Sequence, residues 1–243
     1  MEVWMPAAFF AIAFLYSNAG FGGGSSYLAL LALAGPPSDE MRTAGLLCNV
    51  VVVGLGTALY MRHKHLPKRS LPLLALSVPA AFVAGRFQLN EEVFYPLLAV
   101  VLMLAALAIL WQAWAKRPAD KPVDAPGWFP FLIGGTIGGL SGLVGIGGGI
   151  FLSPLLHLVR WAKALEIAAV ASAFILVNSL AGLAGRATSG HWALPERMWM
   201  LLLAVAVGGF LGNTTSRRLS NPQVLRTVTA VLILVVGVRL LWV

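Results

Sequence analysis

Two stretches of the chain hold the residues whose types and spacing could do chemistry. "NAGFGGGSSYLAL" (Asn18 to Leu30) and "SGLVGIGGGIFLSP" (Ser141 to Pro154) each set three consecutive glycines in otherwise apolar sequence. A glycine inside a helix costs about 1 kcal/mol relative to alanine, so each triplet predicts a broken helix. A break exposes unpaired backbone N–H groups at the start of the next half-helix, and with the helix dipole these attract anions. Further donors flank the glycines: Ser17, Asn18, Ser25 and Ser26 around the first triplet, Ser141 and Ser153 around the second. Asn49 and Asn178 lie inside apolar spans, where hydrocarbon satisfies neither their donors nor their acceptors. The expected binding set is Ser17, Asn18, Gly22, Gly23, Gly24, Ser25, Ser26, Asn49, Ser141, Gly147, Gly148, Gly149 and Asn178. Two half-helix N-termini meeting near the membrane midplane would suit a small multi-oxygen anion without a buried lysine or arginine. Close helix packing is the other use of glycine, but it calls for glycines four apart on one face. Three in a row point all round the helix.

The elements that position these residues are membrane helices. Of 243 residues, 59% are hydrophobic and 11% charged, against roughly 25% charged in soluble domains. Apolar segments fall at about 5–34, 43–60, 70–85 and 93–114, and again at about 129–159, 165–185, 198–212 and 224–242. Most approach or exceed the roughly 20 residues of a spanning helix. The fold class is therefore an all-α polytopic membrane protein. Its net charge of +8 belongs to cytoplasmic loops facing anionic lipid, and no nucleic-acid partner is expected. Trp4, Trp111, Trp114, Trp128 and Trp242 fall at span ends, where an aromatic belt is expected. A single cysteine, Cys48, excludes an internal disulfide or a cysteine metal cluster and reads as a small buried residue. Met1 to Met5 lack the basic start of a cleaved signal peptide.

The segments form two copies of one unit. Gly20 to Gly24 match Gly145 to Gly149 at an offset of 125, and Asn49 and Gly56 match Asn178 and Gly185 at 129. Pro67, Phe82 and Trp114 match Pro195, Phe210 and Trp242 at 128. The expected organisation is a first repeat over 1–115, a polar cytoplasmic linker over 116–127 and a second repeat over 128–243. If all eight segments cross with the N-terminus inside, 10 of the 17 Lys and Arg fall on the inner side. If the glycine-broken segments are re-entrant hairpins and the N-terminus is outside, 12 of 17 do. The positive-inside rule then favours halves of inverted topology, the plan of many secondary transporters.

The duplicated four-segment unit, the paired glycine breaks and "SGLVGIGGGIFLSPLL" in particular resemble the sulfite exporter TauE/SafE family over essentially the whole chain. The resemblance implies a transporter of sulfur-containing anions such as sulfite, thiosulfate or sulfoacetate, in the cytoplasmic membrane and without a cofactor. It fixes neither the anion nor the direction. The family motif maps here onto Gly20 to Ser26 and Gly145 to Ile150. The copies differ where Ser25-Ser26 is replaced by Ile150-Phe151, so the anion is expected nearer the first half.

Two rivals remain open in the sequence. A passive anion channel needs the same donors. A rhomboid-like serine protease would use "GLSG" around Ser141, but its histidines are poorly placed: His157 shares the hairpin, and His63, His65 and His191 lie in loops. No Asp or Glu stands deep in a span, which leaves ion or proton coupling open. Arg86 and Arg186 end spans on the outer side, as interfacial anchors or anion-steering charges. Oligomeric state is not legible.

Overall fold

A computed structural model describes residues 3–17, 21–63, 65–114, 123, 126–215 and 222–242. Asn18, Gly20, Lys64, Lys116 to Lys121, Arg217 and Arg218 lie outside the described residues, as do the side chains of Trp114 and Arg226. Among the described residues, ten α-helices follow in order: α1 Met5–Ser17, α2 Gly24–Ala34, α3 Ser38–Arg62, α4 Leu71–Gly85, α5 Glu91–Trp114, α6 Phe129–Val144, α7 Gly149–Leu158, α8 Ala164–Thr188, α9 Met198–Thr215 and α10 Pro222–Leu240. A 3-10 turn, Lys68–Ser70, precedes α4, and no strand occurs among the described residues.

Both glycine triplets break a helix. Gly23 adopts φ 82°, and Gly145, Gly147 and Gly148 adopt 88°, 86° and 77°. This left-handed region costs an L side chain roughly 1–2 kcal/mol per residue. Gly145 closes α6, its N–H donating to Ser141 O at 2.8 Å. The four resulting pieces have 13, 11, 16 and 10 residues. At about 1.5 Å per residue they are too short for a hydrocarbon core of about 30 Å. Among the described residues, Ser38–Arg62, Glu91–Trp111 and Ala164–Thr188 are long and apolar enough to cross a membrane.

Two helices run further than their apolar residues suggest. Helix α3 begins at Ser38 instead of near 43, with Asp39 and Glu40 in its first turn, where acidic side chains suit the helix dipole. Helix α8 continues to Thr188, so Arg186 belongs to its last turn.

The short helices lie against neighbouring helices. Gly134, Gly138 and Gly142 of α6 press on the backbone of Leu73, Ser77 and Ala81 of α4, so these helices run parallel. Gly208 and Gly212 of α9 press likewise on Phe10 and Phe14 of α1. Helix α2 turns back along α3, with Gly24 beside Asn49 and Leu28 beside Gly45. The remaining main pairs are α5 with α10, α4 with α8 and α3 with α8. Exchanging the first five helices for the last five turns α1 on α9 into α6 on α4, α3 on α9 into α8 on α4, and α2 on α10 into α7 on α5; all six pairs are present.

Two ends of this bundle can be told apart by contacts. At one, Arg42 donates to Phe87 O, Gln88 donates to Asp39, and Arg186 reaches Asp39 and His191 O. At the other, Arg69 meets Glu166 at 3.5 Å and lies over the Trp161 ring, while Val123 N–H donates to Arg160 O. Between them the interior is apolar, from Phe9, Tyr27 and Phe94 to Phe174. The outward faces are apolar as well, with Leu76, Leu104, Leu132, Leu180 and Leu203 exposed, as lipid contact requires. Trp4, Trp111, Trp128 and Trp242 are all exposed.

Candidate functional site

The two breaks meet beside the middle of α3. Asn49 Nδ2 donates to Ile146 O at 2.9 Å. On its other side the same amide faces the first break: a Cβ on Gly22 would strike Asn49 Oδ1, and one on Gly24 would strike Ile146 O. Both positions therefore require glycine for space, where Gly23, Gly147 and Gly148 require it for φ. One buried amide thus clamps both breaks together.

Around it lies a cavity lined by Tyr16, Phe21, Gly22, Gly23, Gly24, Ser25, Asn49, Ile146, Gly149, Ile150 and Ile175. Its total empty volume is about 220 Å³, much of it toward the mouth, and its enclosed part has room for about one water molecule. The lining is half-helix backbone plus few polar side chains. Helix α2 starts after Gly23 and helix α7 after Gly148, neither with a side-chain cap. The first N–H groups of each thus face the break without an intrahelical partner. Ser25 Oγ and Asn49 Oδ1 are buried with no hydrogen-bond partner. Such orphans cost free energy unless water or a ligand meets them.

The other expected residues distribute unevenly. Ser26, expected with Ser25 as a hydroxyl donor, pairs instead with Tyr16 Oη at 2.9 Å. Ser17 donates back to Phe14 O and sits against Gly212. Asn18 lies outside the described residues. Ser141 Oγ is buried beside Gly148 and makes no hydrogen bond, with a histidine or otherwise. Asn178 is fully buried, and neither atom of its amide has a partner. It does not reproduce the clamp of Asn49, because Ile175 and Ser179 occupy the face of α8 toward Gly147. Ser179 Oγ is a further unpartnered donor that sequence reasoning missed. Ile175, which presses on Gly149 and lines the cavity, was missed too, since a lone isoleucine in an apolar span carries no signal.

A second polar cluster was also missed. Arg42 and Arg186 are fully buried at one end of α3 and α8. Arg186 donates to Asp39 Oδ1 at 2.8 Å, Asp39 O and Thr43 Oγ1 at 3.0 Å, and His191 O at 2.7 Å. It is an interior tie rather than the interfacial charge its place near a span end suggests.

The sulfite exporter TauE/SafE family matches residues 5–240, both breaks included. The chain belongs to the sulfite exporter TauE/SafE family. Two relatives carry the name of a membrane transporter. A probable membrane transporter protein, y4hK, of Sinorhizobium fredii is 33% identical over 99% of this chain and 98% of its own. A probable membrane transporter protein, YjnA, of Bacillus subtilis is 29% identical over 91% and 92%. No solved structure matches the chain. This TauE/SafE member is accordingly a membrane transporter protein with apolar helices long enough to span a bilayer.

Proposed function

We propose that the protein is a secondary transporter that carries a small sulfur-containing anion across the cell membrane, held by the half-helix N-termini around Asn49. The candidates are sulfite, thiosulfate and an organosulfonate such as sulfoacetate. The observation that carries this reading is the meeting of two glycine breaks on one buried amide, with the unpartnered Ser25 hydroxyl and the uncapped first N–H groups of α2 and α7 beside the gap. Backbone N–H groups and hydroxyls bind an anion's oxygens by charge-assisted hydrogen bonds. They carry no fixed charge that would hold it too tightly to release. The narrowness of the cavity favours a carrier over a channel: an open pore would leave more than the room of about one water.

In this reading the protein is an inverted repeat, with re-entrant hairpins α1–α2 and α6–α7 and both termini outside. Two observations support it. An all-crossing arrangement would place the loops holding Arg69 and Glu166 on opposite sides, yet the two residues meet at 3.5 Å. Next, Arg42 and Arg186 are buried and drop out of the loop charges. Removing both from the outer five leaves a split of 12 to 3 for inverted halves. Removing one from each side of the all-crossing count leaves 9 to 6. The bias thus sharpens.

Uptake into proteoliposomes of purified full-length protein tests the function, comparing sulfite, thiosulfate, sulfoacetate and sulfate. Saturable movement of at least one sulfur anion is expected, with the half-saturating concentration raised about tenfold or more in Ser25→Ala. Equal leakage of all four anions and chloride would point to a channel, and no movement of any would reject the substrate class.

A further inference from the structure

We propose that Arg42 and Arg186 form a second anion station on the transport path, with Asp39 as a built-in competitor that holds it in the absence of an anion. Both guanidinium groups are fully buried, and Asp39 is the one carboxylate in contact with them among the described residues. The cluster therefore keeps one surplus positive charge away from water. An uncompensated buried charge is costly, and here the hydrogen bonding is incomplete as well. Arg42 Nε and Arg186 Nη1 have no partner, while Arg186 Nη2 is shared among Asp39 Oδ1, Asp39 O and His191 O. Two idle donor nitrogens beside a surplus charge fit the oxygens of a divalent oxyanion, which arginine binds better than lysine does.

The cluster adjoins the break pocket. A Cβ on Gly145, which opens the second break, would lie 2.9 Å from Arg42 Cα. Asn49 follows Arg42 by seven residues on α3, two turns or about 10 Å away. An anion passing from this end toward Asn49 would meet the arginines first and displace Asp39. Among the described residues, the other end has no buried arginine. At an offset of 129, Arg186 and Thr43 correspond to Thr57 and Ser172, which share a neutral hydroxyl hydrogen bond at 2.9 Å. The chain thus recognises charge from one side only.

This inference rests on the transporter reading but is tested apart from it, by calorimetric binding of thiosulfate and of chloride to the purified full chain. Asp39→Asn removes the competitor, and thiosulfate should bind about tenfold tighter with a greater preference over chloride. Arg42→Gln should weaken thiosulfate at least tenfold and abolish that preference. If Arg42→Gln does not fold, Asp39→Asn with Arg42→Gln restores the single surplus charge and should return affinity to near the wild-type value. Unchanged or weaker thiosulfate binding in folded Asp39→Asn would overturn the station and reduce the arginines to ties between helices. Tighter binding there with no effect of Ser25→Ala would uphold the station and overturn the break pocket instead.

Discussion

The side-chain amide of Asn49 in the first half donates 2.9 Å to the carbonyl oxygen of Ile146 in the second. This one bond fastens the continuous helix α3 to the second break across 97 residues of sequence, and the same amide packs against Gly22 and Gly24 of the first. Asn49→Leu keeps the volume and leaves the buried Ile146 carbonyl without a partner, a loss of about 1–3 kcal/mol. Thermal unfolding in detergent should show a lower midpoint, and transport should fall. Asn178→Leu removes an amide that makes no bond, so its midpoint should hold or rise. A larger loss in Asn178→Leu than in Asn49→Leu would contradict the clamp.

Glycines of α6 divide by what they face. A Cβ on Gly142 would collide with Ala81 O, whereas one on Gly139 meets nothing within 4 Å. Gly139→Ala should therefore be neutral or stabilise the protein by up to about 1 kcal/mol through helix propensity. Gly142→Ala should push α6 from α4 and lower the unfolding midpoint by several degrees. Equal effects of the two substitutions would contradict the parallel packing of these helices.

The breaks are legible in sequence because a glycine triplet is poor helix at every phase, and positive φ at Gly23, Gly147 and Gly148 bears that reading out. The seam of Gly134, Gly138 and Gly142 was equally open to reading, being spaced by four. It stood beside the triplet and was overlooked. The roles of Ser25 and Ser26 could not be told apart from sequence. Which hydroxyl is taken depends on Tyr16, a residue ten positions back across the break. The arginine cluster was hidden for another reason. A charge near the end of an apolar run reads as interfacial, and only the extension of α3 to Ser38 and α8 to Thr188 puts Arg42 and Arg186 inside.

Topology is open to labelling. Single cysteines at Arg69, Glu166 and Gln88, in a chain whose Cys48 is buried, should divide into two sides. Positions 69 and 166 should react with a membrane-impermeant maleimide from the cytoplasmic side, and position 88 from the outer side. Labelling of positions 69 and 166 from opposite sides would show that the broken helices cross instead of returning.

The anion pocket itself is tested most directly by Ser25→Ala. Ser25 lines the cavity with an unpartnered buried hydroxyl, and a hydrogen bond to a charged group is worth about 1.5–3 kcal/mol. Calorimetry on purified protein should show the affinity for the transported sulfur anion falling about tenfold to a hundredfold, with the unfolding midpoint unchanged. Ser26→Ala breaks the bond to Tyr16 and should cost more stability than affinity. Wild-type affinity in folded Ser25→Ala would contradict an anion held at the first glycine break.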